Sequence, residues 1–446
     1  MLDKLSDERG AHLTVLDPRG RPPEVTAKAP APRLASLDGK TVYLVDTRFD
    51  DSGKLLEQIQ AWFAEHMPSV ETRLVEMSAT YARDDPRLWA EIREEGDAAI
   101  VGVGHCSTCA PATTTHAITL ETDYGVPTVA VHTEKFVRVV KSVVKVKGLP
   151  QAPLVFVPQP VMGKSAEELK AYVAGDDPHT GIPVMKEIVE GLTGALPEPE
   201  TKKGVAAPAI SEIRLLSPGS EDSLQRQFLD EGWTDKLPIV LPTEERVADM
   251  LSGTSRKPDE LVGRMQPTKN RGLWSYTVEK VAVNAVMAGA RPEYFPVILA
   301  LASSGVSARG STSSSASTMS VVNGPIRNEI EMNCGIGALG PYNHANATIG
   351  RAYSLLSQNL QGGSKPGETF MGSLGSNYTY NGLCFAENEE RSPWEPLHVQ
   401  KGYDAEQSVA TVFSGCRSTT FNLGLREKFW HEHVKYMLQG TDAITA

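Results

Sequence analysis

Two cysteines, Cys106 and Cys109, stand three residues apart in the stretch Gly102-Val103-Gly104-His105-Cys106-Ser107-Thr108-Cys109-Ala110-Pro111. The apolar run Ala98 to Val103 reads as a buried strand that stops at Gly104, and the Thr-rich sequence after the cysteines reads as a helix reaching Tyr124. Both cysteines therefore fall on the turn that opens a helix. There, free amide N–H groups and the positive end of the macrodipole stabilise a thiolate more than a thiol. Cys106 is thus a candidate nucleophile, with His105 adjoining it. Cys109, one helical turn on, can close a disulfide on it or resolve an adduct. Two plainer uses compete. Half of a zinc site would need more ligands, yet the chain has no second Cys-x-x-Cys and only His105, His116 and His132 offer nearby nitrogen. Free cysteines also pack as small hydrophobes at strand ends.

The elements that must hold such a turn follow from the pattern of the first half. Thr41 to Val45 is a β-branched run ending at Asp46, and the next helix carries Leu55, Leu56, Ile59, Trp62 and Phe63 on one face. Val70 to Met77 gives a second strand, Pro86 to Glu95 a second helix, and Val126 to Val131 and Leu154 to Val157 two more strands; helical sequence resumes at Ser165. Strands alternating with helices imply a parallel sheet with right-handed crossovers, and a flavodoxin-like order 2-1-3-4-5 is expected. In that order the ligand crevice lies at the carboxyl ends of strands one and three. Those ends are Asp46-Thr47-Arg48 and Gly104-His105-Cys106, so the cysteine turn sits where such folds bind ligands. His132, Thr133 and Glu134 would line the same rim. Arg48 could pair with an anionic substrate or lower a thiol pKa, or serve as an ordinary surface arginine.

At 446 residues, 40% apolar and 22% charged, the chain is long enough for two or three domains with real cores. A net charge of −11 and the lack of any Lys/Arg block argue against a nucleic-acid partner. The stretch Lys135 to Lys147 alternates basic residues with Val, as the solvated face of an amphipathic segment does. No apolar run approaches the roughly 20 residues of a membrane helix, and the N-terminus lacks an apolar signal core. A cytoplasmic protein is expected, and five cysteines suit a reducing compartment. Residues 1–38, rich in Pro, Arg and Ala, read as an extended arm lying on a neighbour; 39–195 form the α/β unit; 196–212, proline-punctuated and polar, a linker; and 213–446 a second α/β or α+β domain.

In that second domain Leu237 to Leu241 is strand-like, and Thr243 and Thr277 cap helices, the latter with Val278, Val281, Ala282, Ala285 and Val286 as one stripe and Gly289 as its stop. Residues 303–320 resemble a flexible linker by composition, or a loop bordering a site. A helix begins near His344, with Ile349, Ala352, Leu356 and Leu360 on one face. Asn343 or Asn346 ahead of it is an N-cap or part of an anion-binding nest. Glu387, Glu389 and Glu390 near His398 suggest acid/base work or a solvated turn. His431 and His433 lie two apart in a helix-like run and point to opposite sides, which disfavours a chelate. Asn323, Asn346, Glu387 and His398 join Arg48 and Thr133 as candidate substrate-binding residues. Cys334 and His344 are further candidates should the chemistry belong to this half.

The first half resembles the UGSC family of bacterial (seleno)proteins, named for a selenocysteine-Gly-Ser-Cys motif. The residues that carry the resemblance are Leu16-Asp17-Pro18, Ala35 to Val42, Gly104-His105-Cys106-Ser107-Thr108-Cys109, Gly125 to Val129 and Thr133-Glu134-Lys135-Phe136. Cys106 falls where the family places selenocysteine or cysteine, Cys109 matches its second cysteine, and Ser107-Thr108 replaces Gly-Ser. More distantly, the strand, thiol and helix look like the selenoprotein subunits of glycine and proline reductases, where a selenol attacks a carbon–heteroatom bond. The second half, with Thr234-Asp235, Asn323-Gly324-Pro325, Asn346 to Arg351 and Phe385 to Glu389, looks like the uncharacterised domain found with such proteins.

Together these readings lead to a cysteine-dependent enzyme that cleaves or reduces a carbon–heteroatom bond of a small organic substrate. Cys106 is its nucleophile and Cys109 its resolving thiol. The second domain would shape an interdomain pocket. No metal or cofactor is expected beyond an external thiol reductant, and a homo-oligomer is expected. A redox-neutral lyase or hydrolase is the near alternative; a redox-sensing or zinc-binding module is the distant one.

Overall fold

The computed structural model describes residues 12–23, 25–196, 214–265, 273–309, 317–340, 342–361 and 383–416. The first domain is a five-stranded parallel sheet of β1 (Thr41–Asp46), β2 (Glu71–Glu76), β3 (Ala98–Gly104), β4 (Thr128–Thr133) and β5 (Leu154–Val157). Its order is β2-β1-β3-β4-β5, the expected flavodoxin-like arrangement. Burial follows the pleat. Val42 and Leu44 join one core with Leu55, Ile59 and Phe63 of helix α1 (Ser52–His66), while Tyr43 and Val45 join another with Trp89 and Ile92 of α2 (Pro86–Glu95). The central strand β3 is buried at every position, as a strand covered on both faces must be. Helices α3 (Cys109–Thr119) and α4 (Val137–Val146) follow β3 and β4, and α5 (Ala166–Ala174) and α6 (Val184–Thr193) follow β5. A Ser165/Glu168 capping box starts α5. The valines of α4 at 139, 140, 143 and 144 are buried, so the Lys/Val alternation is indeed one amphipathic helix.

The second domain is built around α9 (Val278–Met287) and α12 (His344–Leu360), with α7 (Glu221–Asp230), α8 (Glu244–Leu251), α10 (Phe295–Ser303) and α11 (Ile326–Glu329). Two small sheets accompany them. One is antiparallel, β6 (Leu261–Met265) with β7 (Trp274–Thr277); the other has the order β10-β8-β9, from β8 (Ser317–Asn323), β9 (Leu383–Ala386) and β10 (Val409–Cys416). Thr243 and Thr277 cap their helices through their side chains, and Gly289 ends α9 with φ 79°. Residues 237–241 form no strand, and the end of the linker-like stretch, residues 317–320, falls in β8, the middle strand of its sheet. Residues 310–316, most of the 196–212 linker, His431 and His433 lie outside the described residues.

The N-terminal arm is extended and lies along other parts of its own chain. Leu13, Val15, Leu16 and Arg21 bridge to Gly219, Thr243, Leu215 and Ser275 of the second domain, and Val15 and Leu16 are part of its core. A buried amide pair, Asn359 Nδ2 to Asn284 Oδ1 at 2.7 Å, joins α12 to α9, and Asn284 Nδ2 also donates to Pro18 O at 2.9 Å. Farther along, the arm docks on the first domain: Ala31 N donates to Glu121 Oε2 at 2.9 Å, and Arg33 Nη2 to Glu121 Oε1 at 2.6 Å. The apolar Val-Leu pair and the buried Arg33–Glu121 ion pair anchor this proline-rich arm.

Candidate functional site

The cysteine turn spans residues 105–108, between the end of β3 and the first residue of α3. Its geometry is set by what lies beneath. A Cβ on Gly104 would stand 2.1 Å from His132 Nδ1 and 2.8 Å from the Ala110 Cα, so only glycine lets α3 begin this close to β4. His132 is fully buried. Its Nε2 lies 3.2 Å from Thr114 Oγ1, which itself donates to Ala110 O at 2.9 Å, so Nε2 carries the hydrogen. Burial pushes this imidazole down to about 3, and it stays neutral as a prop under the helix.

Thr108 occupies the N-cap position of α3 without a side-chain cap; the cap acceptor is sulfur. Cys109 N donates to Cys106 Sγ at 2.9 Å, and Thr108 Oγ1 lies 3.3 Å from the same atom. The Cys106 thiol is held down to about 6, chiefly by the hydrogen bond from the Cys109 thiol. The Thr108 hydroxyl and the backbone N–H groups of Cys109 and Thr108 add to this, and partial burial opposes it. Cys109 is the opposite case. Burial, then the bond to Cys106 and its charge, push its thiol far up, so it remains a protonated donor. Cys109 Sγ accepts from Cys106 N at 2.8 Å and lies 3.6 Å from Cys106 O. Cys106 is half-buried and Cys109 sealed; both are free thiols. The bonding favours a thiolate at half-buried Cys106 and a thiol at buried Cys109.

Residues 14–180 match the UGSC family, a segment that runs from the arm through all five strands and contains this turn. This segment belongs to the UGSC family. No curated protein and no solved structure matches the chain. The family match ends before the second domain, so it carries the sheet and the cysteine pair but not Asn323, Asn346, Glu387 or His398.

Within the UGSC segment His105 is not hydrogen-bonded to the thiol. Its Nε2 lies 2.9 Å from Phe49 O and its ring packs on Phe49, so it ties the cysteine turn to the β1–α1 loop. That loop is bent for the purpose: Arg48 and Asp50, either side of Phe49, adopt φ of 57° and 46°, a region costing non-glycine residues about 1–3 kcal/mol each. Arg48 itself turns towards β2. Its Nη1 reaches the Met77 and Ser78 carbonyls at 3.3 Å, and its Nε lies 3.6 Å from Glu76, so the guanidinium serves the loop and takes no part in the thiol's hydrogen bonds. Thr133 does sit on the rim, buried at the end of β4. Its Oγ1 is without a partner, as are Oγ1 of Thr47 and Thr113 and Oε2 of Glu134.

The candidates of the second domain gather elsewhere. Asn323 Nδ2 donates to Glu387 Oε2 at 2.6 Å and to Glu389 Oε1 at 2.9 Å; Gly324 N donates to Glu389 and Leu397 N to Glu387. Arg327 pairs with Glu389 and Glu390, and burial notwithstanding, these donors hold the Glu389 carboxyl below its ordinary range. His398 is fully buried, with Nε2 3.3 Å from Ala405 O. Asn346 is apart from this group: its side chain bonds Asn333 and Ala338, holding a loop, and Asn343 is the true N-cap of α12. His344 Nδ1 lies 3.3 Å from Tyr294 OH, and Cys334 is half-buried. Among the described residues no group of three His, Cys, Asp or Glu side chains is placed to hold a metal ion, and no helix is long and apolar enough to cross a membrane. The partners found at the turn (Phe49, Tyr81, Thr108 and Cys109) all belong to the first domain.

Sequence reasoning missed Tyr81 and Thr108. Tyr81 OH lies 3.1 Å from Thr108 Oγ1, and its ring meets Phe49 edge-on at 5.5 Å between centroids. The signal was present in the strand order: with β2 next to β1, the loop after β2 must reach the same sheet edge as the cysteine turn.

Proposed function

We propose that the chain is a thiol-dependent enzyme in which Cys106 attacks an electrophilic atom of a small organic substrate and Cys109 resolves the adduct. The observation that supports it most is the asymmetry of the pair, with every hydrogen bond at the Cys106 sulfur favouring the thiolate while Cys109 is buried as a thiol. With a substrate R–X, where X is a heteroatom on carbon, the thiolate forms a C–S bond and X leaves with the bonding pair, taking a proton to become HX. Neutralising Cys106 removes one of the influences that keep Cys109 protonated. Cys109 then gives up its proton and attacks the Cys106 sulfur; the disulfide forms, R departs with the C–S electron pair and is protonated to R–H. Two thiols are oxidised and one C–X bond reduced. An external dithiol, taking no other part, returns the disulfide to thiols.

Burial of Cys109 supports a second, redox-neutral reading, in which the adduct on Cys106 is released by elimination or hydrolysis and Cys109 only stabilises the thiolate. Hydroxyethyl disulfide separates the two readings. The reductive account expects wild-type protein to release two equivalents of hydroxyethyl thiol and to end with a Cys106–Cys109 disulfide, while Cys109→Ser stops at a mixed disulfide on Cys106 with one equivalent. A stable mixed disulfide on the wild type favours the redox-neutral reading. Unchanged reaction of Cys106→Ser, or stoichiometric zinc held by both cysteines, contradicts both.

A further inference from the structure

Tyr81 reaches the thiol pair from a different loop and is held there independently of the sulfur. Its N–H donates to Thr47 O at 2.8 Å, its carbonyl oxygen lies 2.9 Å from His116 Nε2, and its ring is fixed edge-on against Phe49. Its hydroxyl lies 3.1 Å from Thr108 Oγ1, which lies 3.3 Å from Cys106 Sγ. A thiolate accepts hydrogen bonds and donates none, so the Thr108 hydrogen is drawn to sulfur and the Thr108 oxygen is left to accept from the phenol. The chain of hydrogens is therefore directed from Tyr81 towards the reacting atom, with a phenol half-exposed at its outer end.

The geometry points to Tyr81 as the proton donor of this site, giving its phenolic hydrogen to an oxygen or nitrogen atom that leaves as the Cys106 thiolate attacks carbon. The inference rests on Cys106 as nucleophile and narrows the substrate to one with a C–O or C–N bond to break. In the step, the C–S bond forms and the C–O or C–N bond breaks with its pair on the heteroatom. As the sulfur bonds carbon it loses its charge and its hold on the Thr108 hydrogen, Thr108 turns to donate to the Tyr81 oxygen, and the departing atom takes the Tyr81 proton; the tyrosinate recovers a proton from water. A phenol helps only when the departing atom is more basic than phenolate, as an alkoxide or amide anion is and a halide or aryl thiolate is not. Burial, with the charge of the Cys106 thiolate, raises the Tyr81 phenol, so it keeps its proton across the neutral range.

Two probes of the intact protein test this. Glycidol opens on thiolate attack to an alkoxide that needs a proton, whereas iodoacetamide releases iodide, which needs none. Tyr81→Phe, which keeps the ring against Phe49, is expected to slow glycidol alkylation of Cys106 by about 10²- to 10⁴-fold while the iodoacetamide rate stays within about twofold of wild type. Equal rates with both probes, or an equal fall with both, overturns the assignment: the first removes any role, the second makes Tyr81 part of the scaffold. Failure of the underlying reading looks different. There, iodoacetamide labels Cys106 of the wild type no faster than the other cysteines.

Discussion

The cysteine turn and the carboxylate cluster around Asn323 both gather chemistry-bearing residues, and they use their hydrogen bonds in opposite ways. At Asn323 the donors are satisfied within the fold. One amide serves two carboxylates, two backbone N–H groups and Arg327 serve them again, and His398 is sealed. At the turn the donors converge on the sulfur of half-buried Cys106 and favour its charged form. Where each charge is answered by a neighbour of the same fold, the bonding supports stability.

The largest effect that separates the two regions is expected from Cys106→Ser, which removes the nucleophile and reduces reaction with hydroxyethyl disulfide to that of the remaining cysteines, while urea denaturation moves little. Arg327→Ala should do the reverse. It takes the cation from the partly buried Glu389, which keeps its bonds from Asn323 and Gly324, costs about 1–3 kcal/mol of folding stability, and leaves iodoacetamide labelling of Cys106 unchanged at urea concentrations where the variant is folded. Asn323→Ala is the uncharged counterpart: two carboxylates lose a shared donor, for about 1–3 kcal/mol, again with Cys106 unaffected. A loss of Cys106 reactivity in either variant would show that the regions act as one site. Smallest is Thr108→Ala, which removes one hydrogen bond to the thiolate and should raise the midpoint of Cys106 alkylation by about one pH unit.

The parts legible in the sequence were those with local causes. Strand and helix periods gave the sheet, its order and the position of the cysteine turn, because β-branched runs and 3.6-residue stripes are set by neighbours in the chain. Asn343, Thr243 and Thr277 were readable as caps for the same reason. What escaped depended on contacts between distant residues. Tyr81 meets Thr108 across 27 positions, and Arg48, read as a substrate partner or an ordinary surface arginine, reaches the carbonyls of Met77 and Ser78. The arm's extended character was legible in its composition, but its partners were not, because Val15, Leu16 and Arg33 each meet residues distant in sequence. Leu237 to Leu241 has the texture of a strand, yet no neighbouring strand pairs with it among the described residues.

The central claim is that Cys106 is an anion at neutral pH because the helix start, Thr108 and Cys109 favour its charged form. Because the thiol is held down to about 6 in the folded protein, the thiolate is present above that pH and is lost as pH falls through it. The decisive measurement is the rate of iodoacetamide alkylation at each cysteine across pH, read by peptide mass spectrometry. The account predicts that Cys106 reacts first and that its rate rises through a midpoint near 6 to a plateau by neutrality. A Cys106 rate that climbs only through about 8.5, as for an unperturbed thiol, would contradict it.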